Sequence, residues 1–358
     1  MANLSSYGFL GLQDIANDRV SSGNIQIVNQ ALRASVDEHN RQVSAALSEL
    51  VGMTTDAQVS YLTPGGGTLQ PLDARGNPLP VKETGSYNVA FPIQMGGTAW
   101  GDDRVSRALA TVEEADRQVL AALRRDANWM KRHILAAMLD NTSWTFKDEQ
   151  QKSAPSLTIQ PLANGDSVTY LKADGTVATD THYYAQAAAI ADAANPFPTL
   201  LSELREHPEN EGPFVAYIPT ALKATVMALG TFRDAPDPNV EEGIGNARLV
   251  GRLDRGLGNE VLGYVDGVWI VEWTMLPSTH GIVVARGASA KPLWMREYPS
   301  PALQGLFLEN HSPDGNLNEY RFIRAAGFGA YNRVGAVAFQ IGNGTYQIPA
   351  GYETPLAV

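Results

Sequence analysis

DRVSRALATVEEADRQVLAALRRDANWMKRHILAAMLDN, residues 103–141, contains neither glycine nor proline. Val105, Leu109, Val112, Val119, Leu123, Met130, Ile134 and Met138 recur at three- and four-residue steps, with Ala108, Ala115 and Ala127 allowing close approach. That period predicts one amphipathic helix. At ~1.5 Å per residue it would run ~57 Å, whereas a compact globule of this chain length has a radius of gyration of only ~20 Å. The molecule is therefore expected to be wide. Acidic residues (Asp102, Asp103, Glu113, Glu114, Asp116) come early and basic ones (Arg124, Arg125, Lys131, Arg132) late, an order the helix dipole favours. The steps drift off a strict heptad and no matching helix follows, which argues against a coiled coil.

Before this helix the texture is different. Residues 52–101 carry Pro64, Gly65, Gly66, Gly67, Pro71, Gly76, Pro78 and Pro80 between short strand-like pieces at Gln58–Leu62, Leu79–Val81 and Tyr87–Phe91. Arg75-Gly76-Asn77-Pro78 is a turn signal. Fifty residues without a helix are too many for an ordinary connection, and they predict a long β-hairpin leaving the body. A lone hairpin is marginal in water. Tyr61, Leu62, Leu69, Leu72, Leu79 and Val81 exceed what the hairpin's own body would cover, so a partner chain is expected to cover them. Further upstream, Ile25–Val51 reads as a second amphipathic helix after a polar arm, with Asn24 as its N-cap and His39 on the apolar stripe as a packed histidine.

After the helix, Trp144–Thr181 reads as strands with tight turns, Tyr183–Ala194 and Thr199–Glu206 as helices, and Pro213–Pro219 as a buried strand leading into the helix ALKATVMALG. RDAPDPNVEEGIG (233–245) reads as an acidic surface loop. GYVDGVWIVEWTMLP and GIVVAR read as strands, and NEYRFIRAAGFGAYNRVGAVAFQIG as two long strands broken near Asn332-Arg333.

The 358 residues have 44% hydrophobic and 18% charged content and a net charge of -11. This is a globular composition and not the basic one a general nucleic-acid binder needs. Without cysteine there is no disulfide, thiolate nucleophile or cysteine-ligated zinc. No secretory signal or membrane-spanning run is visible, so the chain reads as soluble. Phosphate-loop, dinucleotide, nucleophile-elbow and zinc-helix motifs are all missing. His133, His182, His207, His280 and His311 show no ligand spacing. Asp234, Asp237, Glu241 and Glu242 read as a solvated loop and not as a cation site. No catalytic, cofactor or metal residue is assigned.

The order of these parts is arm, helix, long hairpin, long helix, mixed α/β region and returning strands. It resembles the major capsid protein family of tailed bacteriophages, the Hong Kong 97 fold, over essentially the whole chain. VAYIPTALKATVMAL resembles the family's strand–Pro–helix step, VDGVWIVEWTMLP with GIVVAR its next strand pair, and NEYRFIRAAGFGAYNRVGAVAFQIG its closing strands. The resemblance implies an α+β Hong Kong 97-type capsid fold. Residues 1–51 would be the N-terminal arm and helix and 52–101 the extended E-loop. Residues 102–195 would open the P-domain with its spine helix, 196–290 would form the A-domain, and 291–358 would return to the P-domain.

It further implies a non-enzymatic shell subunit that assembles into pentamers and hexamers around the phage genome, in a virion built in the host cytoplasm. Tyr61, Leu62, Leu69, Leu72, Arg75, Leu79, Val81 and Lys82 are the expected intersubunit contacts. Lys82 is the only lysine of the E-loop, and no acceptor for a covalent cross-link can be named. Because the sequence opens at Met1 with a short arm, a separate scaffolding protein is expected, with a portal and a decoration protein as further partners. Double-stranded DNA would be enclosed without sequence-specific binding, and no membrane is involved. The alternative is an encapsulin-like cellular cargo shell of the same fold. An α/β enzyme is disfavoured by the empty motif search, and a tail or baseplate protein by the spine helix.

Overall fold

The computed structural model describes residues 25–63, 69, 72–73, 75–78, 85–102, 109, 111–149, 152–234, 260–311 and 318–356. The N-terminal arm before residue 25, Val105 of the helical stripe and the acidic loop from residue 235 onward lie outside the described residues.

The spine helix is Val112–Leu139, 28 residues or ~42 Å. It starts later than expected because Thr111 closes a capping box. The Glu114 amide donates to Thr111 Oγ1 and the Thr111 amide donates to Glu114 Oε2, which satisfies two amides of the first turn. Asp102 belongs instead to the strand Gln94–Asp102, opposite Asn318, and Leu109 is exposed. At the other end Asp140 accepts hydrogen bonds from Thr142 and Thr354.

The two halves of the spine serve two different cores. Val112, Ala115, Val119, Ala122 and Leu123 pack with Leu32 and Val36 of the helix Ile25–Leu47 and with Leu306 and Phe322 of the returning strands. Met130, Ile134, Leu135 and Met138 belong to a second cluster, which joins Leu293, Met295 and Phe328 of the first sheet to Tyr217, Trp269, Val271 and Ile282 of another. One rigid rod thus joins two layers, which is the structural reason for its length.

The first sheet has five strands. Val51–Thr54 runs parallel to Leu293–Arg296, which pairs antiparallel with the 13-residue strand Asn318–Ala330; that strand also pairs with Leu306–His311 and with Gln94–Asp102. Glycines allow two close crossings here. A Cβ on Gly96 would lie 2.6 Å from Trp129 Nε1 of the spine, and one on Gly327 would overlap the Pro92 carbonyl oxygen.

The second sheet has seven strands in the order Arg233–Asp234, Glu260–Val265, Val268–Glu272, Phe214–Ile218, His280–Ala285, Ala336–Ile341 and Tyr183–Gln186. Its far face is covered by the helices Phe197–Arg205 and Thr220–Met227.

Three expectations change here. Tyr183–Gln186 is a strand parallel to Ala338–Ile341 and not the start of a helix, because it closes an edge of this sheet. The last strand, Ala336–Ile341, does not return with Asn318–Ala330 to the first sheet. The tight turn Arg333–Gly335 swings it across to pair with His280–Val284. Val51 likewise leaves the arm helix, which ends at Leu47, for the first sheet.

Candidate assembly surface

The free-standing hairpin is shorter than residues 52–101. Both ends of that span, Val51–Thr54 and Gln94–Asp102, are built into the five-stranded sheet. Among the described residues, Gln58–Leu62 and Ser86–Ala90 pair as a separate two-stranded ribbon, and the Thr63 amide donates to the Gly85 carbonyl just past it.

Aromatic residues and buried ions fix the root of this ribbon to the body. Strand alternation turns Tyr61, Tyr87 and Val89 inward, and all three are buried with Phe91, Tyr170 and Val334. Tyr61 stacks on Tyr87 at 5.0 Å between ring centroids and meets Tyr331 edge-on. The Tyr87 hydroxyl donates to the Tyr331 carbonyl at 2.7 Å, and the Arg333 guanidinium lies 4.2 Å above the Tyr87 ring. Arg333 pairs with Asp166 at 2.5 Å, and the Tyr170 hydroxyl donates to the same carboxylate oxygen at 2.9 Å.

Burial raises the pKa of the Tyr61, Tyr87 and Tyr170 phenols, so they stay neutral. It also raises the Glu209 carboxyl, which accepts a hydrogen bond from Tyr61. The group can hold and orient the hairpin.

Two more buried Arg–Asp pairs tie the returning strands to earlier elements. Arg324 meets Asp126 of the spine through Nε at 2.5 Å and Nη2 at 2.8 Å, while His39 Nε2 lies 2.7 Å from the same carboxylate. His39 is thus a packed histidine inside a polar knot. Burial pushes the Asp126 carboxyl up, but the His39 hydrogen bond and the Arg324 charge outweigh it and hold the group below the ordinary carboxylate range. Arg296 reaches Asp148 at 2.8 Å and the Phe91 carbonyl at 3.1 Å. Sequence reading missed all three pairs. A lone Asp126 on the apolar stripe and a lone Arg324 at an inward strand position were the available signals, since a buried charge needs a partner.

The expected contact residues divide sharply. Tyr61 is 5% exposed, covered by its own chain, because its ring faces the body. Its neighbour Leu62 is 76% exposed, Leu69 100% and Leu72 60%. Arg75 is exposed on a turn in which Asp73 Oδ1 accepts from the Arg75 and Asn77 amides and Gly76 takes a positive φ of 79°. Leu79, Val81 and Lys82 lie outside the described residues.

No protein-family model matches the sequence, and no curated protein matches it either. A solved structure from Mycobacterium phage Patience superposes with a TM-score of 0.67 at 18% identity, covering 95% of this chain and 95% of its own. The fold is the Hong Kong 97 type. The mature capsid of bacteriophage PhiM1 is a more distant match, with a TM-score of 0.49 at 11% identity over 82% of this chain and 85% of its own. The holo-SrpI encapsulin complex of Synechococcus elongatus PCC 7942 has a TM-score of 0.43 at 11% identity, over 84% and 86%.

Proposed function

We propose that this chain is the major capsid protein of a tailed bacteriophage, a structural subunit that assembles into pentamers and hexamers of an icosahedral head. The observation that carries this reading is the hairpin, clamped at its root and uncovered beyond it. Burying one leucine contributes ~1.5–3 kcal/mol. Leu62, Leu69 and Leu72 are each exposed within one short segment of the chain, and uncovered apolar residues in one segment suit an interaction surface. The covering partner is a second copy of the chain. The likeness to the Patience structure over nearly its full length supports the same reading.

Within this reading the first sheet with the spine forms the P-domain. The A-domain is the seven-stranded sheet, enlarged from residues 196–290 by Tyr183–Gln186 and Ala336–Ile341. A separate scaffolding protein, a portal and a decoration protein complete the head, assembled in the host cytoplasm and incorporated in the virion. The net charge of -11 suits a wall that encloses double-stranded DNA without gripping it. No described helix is long and apolar enough to cross a membrane. Lys82 forms no covalent cross-link, so boiled shells run as single chains.

Negative-stain microscopy and sedimentation of the protein, alone or with its scaffold, test the proposal. Capsomers or closed shells are expected. A 38.5 kDa monomer at every concentration and salt condition would sink it.

A further inference from the structure

We propose that Asp180, Glu206 and His207 form a binding site for one divalent transition-metal ion of the zinc class. This inference stands independently of the capsid reading.

The three side chains come from two places in the chain. Asp180 sits on the strand Val177–Thr181, and Glu206 with His207 follow the helix Phe197–Arg205. Their ligand atoms all lie within 4.8 Å of one another. His207 Nε2 is 2.9 Å from Asp180 Oδ2 and 3.6 Å from Glu206 Oε1. Zinc bonds of about 2.0–2.2 Å in tetrahedral geometry set neighbouring donors roughly 3.3–3.6 Å apart, a spacing that the His207–Glu206 pair already has and that the His207–Asp180 pair would reach by opening from 2.9 Å.

The hydrogen bonding points to a cation. His207 Nδ1 lies 3.1 Å from the Leu171 carbonyl, which can only accept, so Nδ1 carries a proton. A backbone carbonyl on one ring nitrogen is the usual outer-shell partner of a metal-binding histidine, and it leaves the other nitrogen as the ligand. Nε2 then faces two carboxylates. A proton there serves Asp180 alone, and Glu206 Oε1 remains a buried oxygen with no hydrogen-bond donor. One metal ion meets all three atoms. His182, two residues after Asp180, is buried, and its Nε2 is also without a partner. The nearby cation is Lys172, whose Nζ donates to the other oxygen, Glu206 Oε2, at 2.8 Å. Two carboxylates and an imidazole, with no thiolate, match zinc and its neighbours better than magnesium, which prefers oxygen ligands throughout.

The site was not visible in the sequence because Asp180 and His207 are 27 positions apart and share no motif. Folding brings a strand end to a helix end.

The test uses the full chain, stripped with EDTA and titrated with zinc chloride by calorimetry and thermal melting, with magnesium chloride as the control. Wild type should bind one equivalent of zinc and melt at a higher temperature with it, and magnesium should do neither. Glu206→Gln, at a partly exposed position, should keep the fold and weaken zinc binding at least tenfold. Lys172→Met should tighten zinc binding, because it removes the ammonium that competes for Glu206. The proposal is overturned if wild type shows no zinc-dependent melting shift. It is also overturned if Glu206→Gln binds zinc as wild type does, or if Lys172→Met loses stability without gaining affinity.

Discussion

The spine helix and the hairpin are the two extended features of this chain, and they solve opposite problems. The spine has thirteen buried residues along Val112–Leu139, all covered by its own chain. The hairpin buries Tyr61 against the body and, one residue later, exposes Leu62 almost fully. Among the described residues of the hairpin, the side chains that the body buries end at Tyr61 and Tyr87. The comparison teaches that a long element is rigid for its own chain only where a second layer lies on it. Beyond that point its apolar residues are available to another molecule.

The harshest way to break the comparison is to charge the spine. Leu123 is 1% exposed between the arm helix and the returning strands. Leu123→Asp loses ~1.5–3 kcal/mol of burial and adds the cost of an unpaired buried charge, against a total stability of about 5–15 kcal/mol. Soluble folded protein should disappear, as judged by circular dichroism. Normal folding would mean that this face of the spine is not core.

A smaller effect is expected from Arg324→Met. It leaves Asp126 buried beside His39 with its main countercharge gone, and breaking a buried pair from one side costs about 3–5 kcal/mol. The denaturant midpoint should fall with an unchanged slope. A fall under about 1 kcal/mol would show that the pair is solvated.

Acid probes the same knot more gently. The Asp126 carboxyl is held below its ordinary value, so its stabilising contribution is present above about pH 3.9 and is lost as pH falls through the folded-state pKa. In melting curves from pH 5 to pH 2, Asp126→Asn should be less stable than wild type at pH 5 and converge with it at the acid end. A difference that stays constant over that range would remove the ion pair as the cause.

The spine, the arm helix, the buried strand before Pro219 and the paired strands Gln58–Leu62 and Ser86–Ala90 were legible because each depends on local periodicity or turn chemistry. The start of the spine was not. Thr111 and Glu114 make a capping box that sequence reading passed over, because the apolar steps continue upstream through Leu109 and Val105. The course of Ala336–Ile341 was hidden for another reason. Its apolar pattern fits either sheet, and only the Arg333–Gly335 turn and the open edge of His280–Ala285 decide between them. Tyr61 and Leu62 show the same limit at single-residue scale. Both are apolar enough to count as an exposed ridge, yet strand alternation sends one ring into its own body and the other side chain to solvent.

The smallest effect on the monomer, and the sharpest division of the two regions, is expected at the hairpin tip. Replacing residues 69–81 by a short Gly-Ser turn removes Leu69 and Leu72, which are exposed, and leaves Tyr61, Tyr87, Arg333 and Asp166 in place. Surface changes away from packed or paired groups stay within about 0.5 kcal/mol, so the monomer's melting should match wild type within that margin. Assembly should fail or become fragile in sedimentation, because every copy loses at least two leucines worth ~1.5–3 kcal/mol each when covered. The control is Tyr87→Leu, which disturbs the root and should lower monomer stability. If the tip replacement destabilises the monomer as much as Tyr87→Leu does while shells form at normal yield, the leucines are covered by their own chain. The boundary drawn between Tyr61 and Leu62 would then be in the wrong place.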